Sequence, residues 1–241
     1  MYNRREITLG IASGVVIGSA GCMDLLEDGV TAQSEPAAIE EHVVNENNLT
    51  FDDYDSHVID EDFEIAGETR DVNINSHFTI YSKEAEDVSL DDGSTNGGTD
   101  DGYEDEIIAG MEEDAVGITI ISTPSESIAG QELNPVTRMS DERLLTEFND
   151  EMVDGEIQNI EMVNEHDVTV LGTETVANEY EIDAETDSED DIPISVIIFE
   201  VKNEDDIILG VGGFPTGLGQ QGDVLTAFTG IEHPVDNIDD R

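Results

Sequence analysis

The sequence predicts an α+β fold: a single domain on a mainly antiparallel sheet, with one or two helices on one face. Three observations point there. β-rich segments with a period of two recur along most of the chain, and only two segments carry helical spacing. Ile, Val, Leu and Phe make up about 27% of the 241 residues, above the roughly 20% below which a chain builds no core. About 190 residues carry this pattern, a length that suits one domain.

The elements follow in order. Phe63 and Ile65 alternate with acids, and Ala66-Gly67-Glu68-Thr69 supplies a turn. Val72, Ile74, Ser76, Phe78 and Ile80 then alternate with Asp71, Asn73, Asn75, His77 and Thr79. This is a hairpin with one packed and one wet face, and His77 falls on the wet one. Residues 83–114, acidic around GSTNGG, read as a flexible insertion. Strand signal resumes from Ala115 to Ser122 and stops at Thr123-Pro124. Ser140 is placed to cap a helix whose Leu144, Leu145, Phe148 and Met152 form one stripe. Four β-rich segments follow, at 159–165, 168–184 with a break near Gly172, 193–201 and 206–212. A short helix at 223–228 closes the pattern.

The N-terminus differs from everything after it. Arg4-Arg5 precedes a run from Ile7 to Cys22 of Gly, Ala, Ser, Thr and aliphatic residues, too short for a bilayer core that needs roughly 20. Paired arginines ahead of such a run mark a twin-arginine export signal, and Ser19-Ala20-Gly21-Cys22 offers the small side chains that a lipoprotein signal peptidase accepts. Residues 1–21 are therefore expected as a signal peptide and Cys22 as the lipidated N-terminus. Residues 22–47 read as a polar tether, 48–235 as the domain and 236–241 as a tail. With Cys22 the only cysteine, no intramolecular disulfide forms, so the core alone holds the domain.

The charge excludes partners. Eight Lys and Arg stand against 60 Asp and Glu, a net of −52, and loss of Arg4, Arg5 and Glu6 with the signal takes it to −53. Nucleic acid and anionic lipid need clustered cations, so no nucleic-acid partner is expected. Such self-repulsion suits concentrated brine, where the Debye length falls to about 3 Å.

Candidate chemistry is sparse. Asp92, Ser94, Asn96 and Asp100 stand at positions one, three, five and nine of a calcium-like loop, with Gly97 at six. Tyr103 occupies position twelve, where a bidentate Glu is required, so a solvated acidic loop is the default and no cofactor is expected unless that loop takes calcium. The stretch GVGGFPTGLG lacks the Lys of a phosphate loop and reads as a flexible glycine loop. The histidines, at 42, 57, 77, 166 and 233, show no metal-ligand spacing and are expected at exposed or terminal positions. No G-x-S-x-G elbow occurs, Ser122, Ser125 and Ser127 beside Pro124 read as turn residues, and no catalytic residue is assigned. Arg138 and Arg143, among few cations, bracket a helix start and read as charge relief.

RREITLGIASGVVIGSAGC and the acidic composition, with FEIAGETRDVNI, ITIISTPSESIAGQELNPVTRMSDERLL, VLGTET and TAFTGIEHP, are similar to a family of exported lipoproteins of halophilic archaea. That resemblance covers most of residues 48–235. It implies a lipid-anchored location at the cell surface and brings no activity, cofactor or catalytic residue. The expected function is a non-enzymatic binding or scaffold domain attached to the membrane through Cys22. The competing readings are an extracytoplasmic hydrolase with a site assembled from separated loops, and surface divalent-cation binding.

Overall fold

The structure, a computed structural model, describes residues 30–65, 68–84, 114–125, 127–128, 131–132, 134, 136, 139–147, 157–184, 193–236 and 238. They form one mostly-sheet domain with few helices. The strands are β1 (Val30–Gln33), β2 (Ala38–Ile39), β3 (Thr50–Ile65), β4 (Glu68–Glu84), β5 (Asp114–Pro124), β6 (Ser127–Ile128), β7 (Gln131–Glu132), β8 (Ile157–Val170), β9 (Thr173–Ala184), β10 (Pro193–Asn203), β11 (Asp206–Pro215) and β12 (Ile231–Glu232). The helices are α1 (Glu41–Glu46), α2 (Asp141–Glu147) and α3 (Gln221–Thr229).

Eight strands make one open mixed sheet in the order β1-β4-β5-β11-β10-β9-β8, with β3 also paired to β4. Among the described residues every pairing is antiparallel except one: β1 runs parallel to β4, Val30 opposite Val72 and Gln33 opposite Asn75. On that edge of β4, β5 pairs only with His77–Glu84, so β1 takes up the hydrogen-bonding groups that β5 leaves free. Tight turns set the registers. Val170 lies opposite Thr173 across Leu171 and Gly172, both at positive φ (52° and 76°), which is the backbone of a type I′ hairpin and the break expected near Gly172.

Both faces of the sheet are covered. Along β10, Ile197, Phe199 and Val201 join the core beneath α1 and α3, while Val196 and Ile198 join a second core beneath α2. The helices therefore lie on both faces, and the expectation of helices on one face is corrected. The reason is in the strand: a run such as Val196–Phe199, apolar and buried at four successive positions, has no polar side for water.

Three other expectations change. Residues 30–47, read as part of a tether, are built into the fold: β1 joins the main sheet, β2 pairs with β12, and Ala37, Ala38 and Ile39 are fully buried. At the other end, Ile238, assigned to the tail, packs with Val235 on Ala38. The glycine stretch read as a loop from Gly210 overlapped the strand read at 206–212; the strand prevails, and β11 runs on through Pro215. A Cβ on Gly210 would stand 2.1 Å from the Phe199 ring, and one on Gly212 would stand 2.4 Å from Val224 of α3. The missing side chains let α3 lie close on the sheet, where Phe228 meets Phe199 edge-on at 4.7 Å.

Ser140 acts as expected. Its carbonyl accepts the N–H of Arg143 and Leu144, and its Oγ accepts Arg143 N–H at 3.4 Å. The stripe positions Leu144 and Leu145 are buried in the core on the α2 side; Phe148 and Met152 lie outside the described residues.

Candidate functional site

A connected polar cluster lies where β4 exchanges β5 for β1. It begins with the strap of residues 34–39 that leaves β1 and crosses the sheet. Ser34 is 1% exposed, and its Oγ stands within hydrogen-bond reach of two carbonyls, Ser122 at 2.9 Å and Asn75 at 3.1 Å. The Ser34 carbonyl accepts from His77 Nε2 at 2.9 Å. That bond places the imidazole proton on Nε2, so Nδ1 accepts from the Tyr54 hydroxyl at 2.7 Å. Glu35 N–H donates to Asp206 Oδ2 at 2.9 Å. His233 Nε2 meets the same carboxylate oxygen at 3.1 Å and the Glu35 carbonyl at 3.2 Å, while its Nδ1 faces Asn203 Oδ1 at 3.0 Å.

Further along, the Thr79 hydroxyl donates to the Ala37 carbonyl at 2.7 Å, and Ile39 N–H donates to the Tyr81 hydroxyl at 3.0 Å. A strap with little regular pairing thus has its backbone groups met by side chains from the sheet, as burial requires. Burial of the His77 ring lowers its pKa from the ordinary 6.5, against smaller opposing effects of the Ser34 carbonyl, Glu35 and Asp206. The neutral ring is the form that fits, because Nδ1 must stay an acceptor for Tyr54.

Beside this cluster, Asn134 Nδ2 donates to Thr123 Oγ1 and to the Pro124 carbonyl, and Ser76 shares a hydroxyl bond with Thr123. Among the described residues, two buried atoms, Ser122 Oγ and Asn75 Oδ1, find no hydrogen-bond partner.

Three smaller pins hold helices. Lys83, 4% exposed, bonds Asp223 Oδ2 at 2.6 Å and Gln220 Oε1 at 3.1 Å, fixing the start of α3 to β4. His166 Nε2 lies 2.8 Å from Glu179 Oε2 and 3.0 Å from Gln221 Nε2. On the opposite face, Asp141 of α2 accepts from Asn178 at 2.7 Å and from Tyr180 at 2.9 Å. Burial, followed by the bond to Asp141, raises the Tyr180 pKa and keeps the phenol protonated.

The histidine expectations are corrected here. His77 is 7% exposed, although it falls in the polar phase of its strand. The covered face of β4 changes along its length: Val72, Ile74 and Ser76 are buried on one side, then His77, Thr79 and Tyr81 on the other, where the strap lies. The His233 side chain is 2% exposed and that of His166 is 14% exposed. Only His42 and His57 are exposed as expected. Ser122, read as a turn residue, is a buried residue of β5.

The chemistry of the cluster is that of a latch. Each ring nitrogen of His77 is held by a structural partner, and its cross-strand neighbour Ser122 has its Oγ free of any bond to it. The pair that a serine nucleophile would need, Ser122 Oγ on the His77 ring, is therefore not formed. Among the described residues, no three His, Cys, Asp or Glu side chains are grouped to hold a metal ion. The calcium-like loop with Asp92, Ser94, Asn96 and Asp100 lies outside the described residues, as do Arg4, Arg5, Cys22 and Arg138. An open depression of about 560 Å³ is lined by Asp167, Val168, Thr169, Glu174, Thr175 and Val176, at the hairpin of β8 and β9.

Sequence reasoning missed the latch because its members stand far apart: Ser34, Glu35, Tyr54, His77, Asp206 and His233. One signal was present, a histidine at an alternation position flanked by Ser76 and Phe78 in a strand otherwise rich in Asn and Asp.

No curated protein matches the sequence. The family described as a domain of unknown function (DUF6517) matches residues 36–232, from the middle of the strap through β12, and the chain belongs to that family.

Proposed function

We propose that this is a lipid-anchored extracytoplasmic protein of a halophilic archaeon, exported through Arg4-Arg5, attached at Cys22, and acting as a binding or scaffold domain without chemistry of its own. In this reading the α+β domain is a rigid platform. One observation carries the non-enzymatic part: His77, His166 and His233, the three histidines drawn inward, each hold another element in place, and both sheet faces are filled by core. The anchor reading is supported by the twin arginines, the short apolar run ending at the only cysteine, and the acidic composition.

The test is fractionation of membranes with detergent phase separation. Wild-type protein enters the detergent phase at the mass of the processed, acylated chain. Cys22→Ser leaves an unlipidated precursor, and replacing Arg4 and Arg5 together by Lys blocks export, because the guanidinium pair is read by a receptor. Wild-type protein in the aqueous phase at its full mass overturns the assignment.

A further inference from the structure

The direction of β1 fixes which end of the domain meets the lipid. Because β1 and β4 are parallel, with Val30 opposite Val72 and Gln33 opposite Asn75, the chain enters the sheet at Val30, beside the early residues of β4. Those residues run into the β3–β4 hairpin, which closes at Ile65 opposite Glu68. Cys22 is eight residue steps from Val30, a reach of at most about 29 Å when fully extended. The hairpin end at Glu68 is four steps from Val72, roughly 13 Å along the strand. The other end of β4, at Glu84, is twelve steps away, roughly 40 Å. A lipid on Cys22 thus reaches the hairpin end with slack and falls short of the Glu84 end.

We propose that the domain stands on the membrane with the β3–β4 hairpin end toward the lipid and the Glu84–Asp114 end, where β4 and β5 pair last, away from it. This rests on the lipoprotein reading above. The partner surface is the lipid to which Cys22 is attached, and tether length selects the contact. Charge does not: Glu64, Glu68 and Asp71 at the hairpin end outnumber Arg70. In brine the repulsion is screened within about 3 Å, so an acidic end lies close to a headgroup layer without penalty at longer range. The inference also uses the corrected length of the tether. A linker running to residue 47 would have let the domain tumble; one ending at Val30 leaves only seven residues between Cys22 and the sheet.

The test places one dye at either end of the same strand. The full chain is expressed with Asp71→Cys or Glu84→Cys, both at exposed positions, and labelled with a thiol-reactive fluorophore in membrane vesicles doped with acceptor lipid, in concentrated NaCl. The wild-type chain, whose only thiol is Cys22, is the control. A wild type that refuses dye, with several-fold stronger energy transfer to lipid from position 71 than from position 84, is the expected result. Equal transfer from both positions, or stronger transfer from 84, overturns the orientation and leaves the anchor standing. A wild type that takes the dye at Cys22 overturns the anchor reading and the orientation with it.

Discussion

The two faces of the sheet are held by different means. Beneath α1, α3 and the strap, an apolar core is crossed by a series of polar pins: Ser34 and His77, Thr79, Tyr81, Lys83 with Asp223, and His166 with Glu179. Beneath α2, a smaller apolar core is joined by Asp141 with Asn178 and Tyr180. The difference teaches what each kind of contact does. Apolar burial supplies most of the free energy without direction, whereas directional hydrogen bonds fix where a strap with little regular pairing must lie.

Substitutions on each side break or sharpen this contrast. The largest loss is expected for Phe228→Ala, which empties the contact with Phe199 and the Gly212 floor beneath α3; about 3–5 kcal/mol should be lost in denaturant titration in brine. Asp223→Ala comes next at about 3 kcal/mol, since it leaves the Lys83 ammonium buried beside Gln220 alone, and Lys83→Met with Asp223→Ala should recover part of that loss. Leu145→Ala, on the other face, is expected to cost about 2–3 kcal/mol, toward the low end for a fully buried leucine because a seven-residue helix readjusts around the gap.

The remaining effects are smaller and address the latch. Because burial lowers the His77 pKa, the unfolded chain binds the proton first as pH falls, so stability is full above about 6.5 and is lost as pH drops toward the folded value. His77→Gln should flatten the part of the stability-versus-pH curve below 6.5 and cost about 1 kcal/mol at pH 8. A slope unchanged by the substitution assigns the titration to other groups. The smallest effect belongs to Ser122→Ala. Its buried Oγ has no partner among the described residues, so removal should change stability by less than about 0.5 kcal/mol in either direction. A loss above 1 kcal/mol would show a bonded water at that atom.

Local features of the fold were legible in the sequence, and features that depend on distant residues were not. Gly172 announced its hairpin, Ser140 its helix, and the runs at 193–201 and 206–212 their strands, because turn, cap and period-two signals depend on neighbours a few residues away. The strap read as a tether because Ser34, Glu35 and Pro36 look solvated; their polar groups are met by His77, Asp206 and His233, up to 198 residues distant. His77 was misplaced because alternation assumes that one face stays buried along the whole strand, and the strap changes the buried face midway. The stretch from Gly210 read both as strand and as loop because the reason for Gly210 and Gly212, an aromatic ring and a helix pressing on the strand, comes from β10 and α3.

The parallel placement of β1 has a mechanical meaning. If the chain were held ahead of Val30 in line with β1, tension would pull Val30 along its own strand axis, against a neighbour running in the same direction. The β1–β4 hydrogen bonds are then loaded together, in shear, rather than opened one after another as in a peeled hairpin. The Ser34 and Glu35 pins stand immediately behind them and take up the same load. A domain held from its first strand in this way would meet stretching first at β1, with its buried Ala32, and at the strap behind it, before α2 or α3 is disturbed.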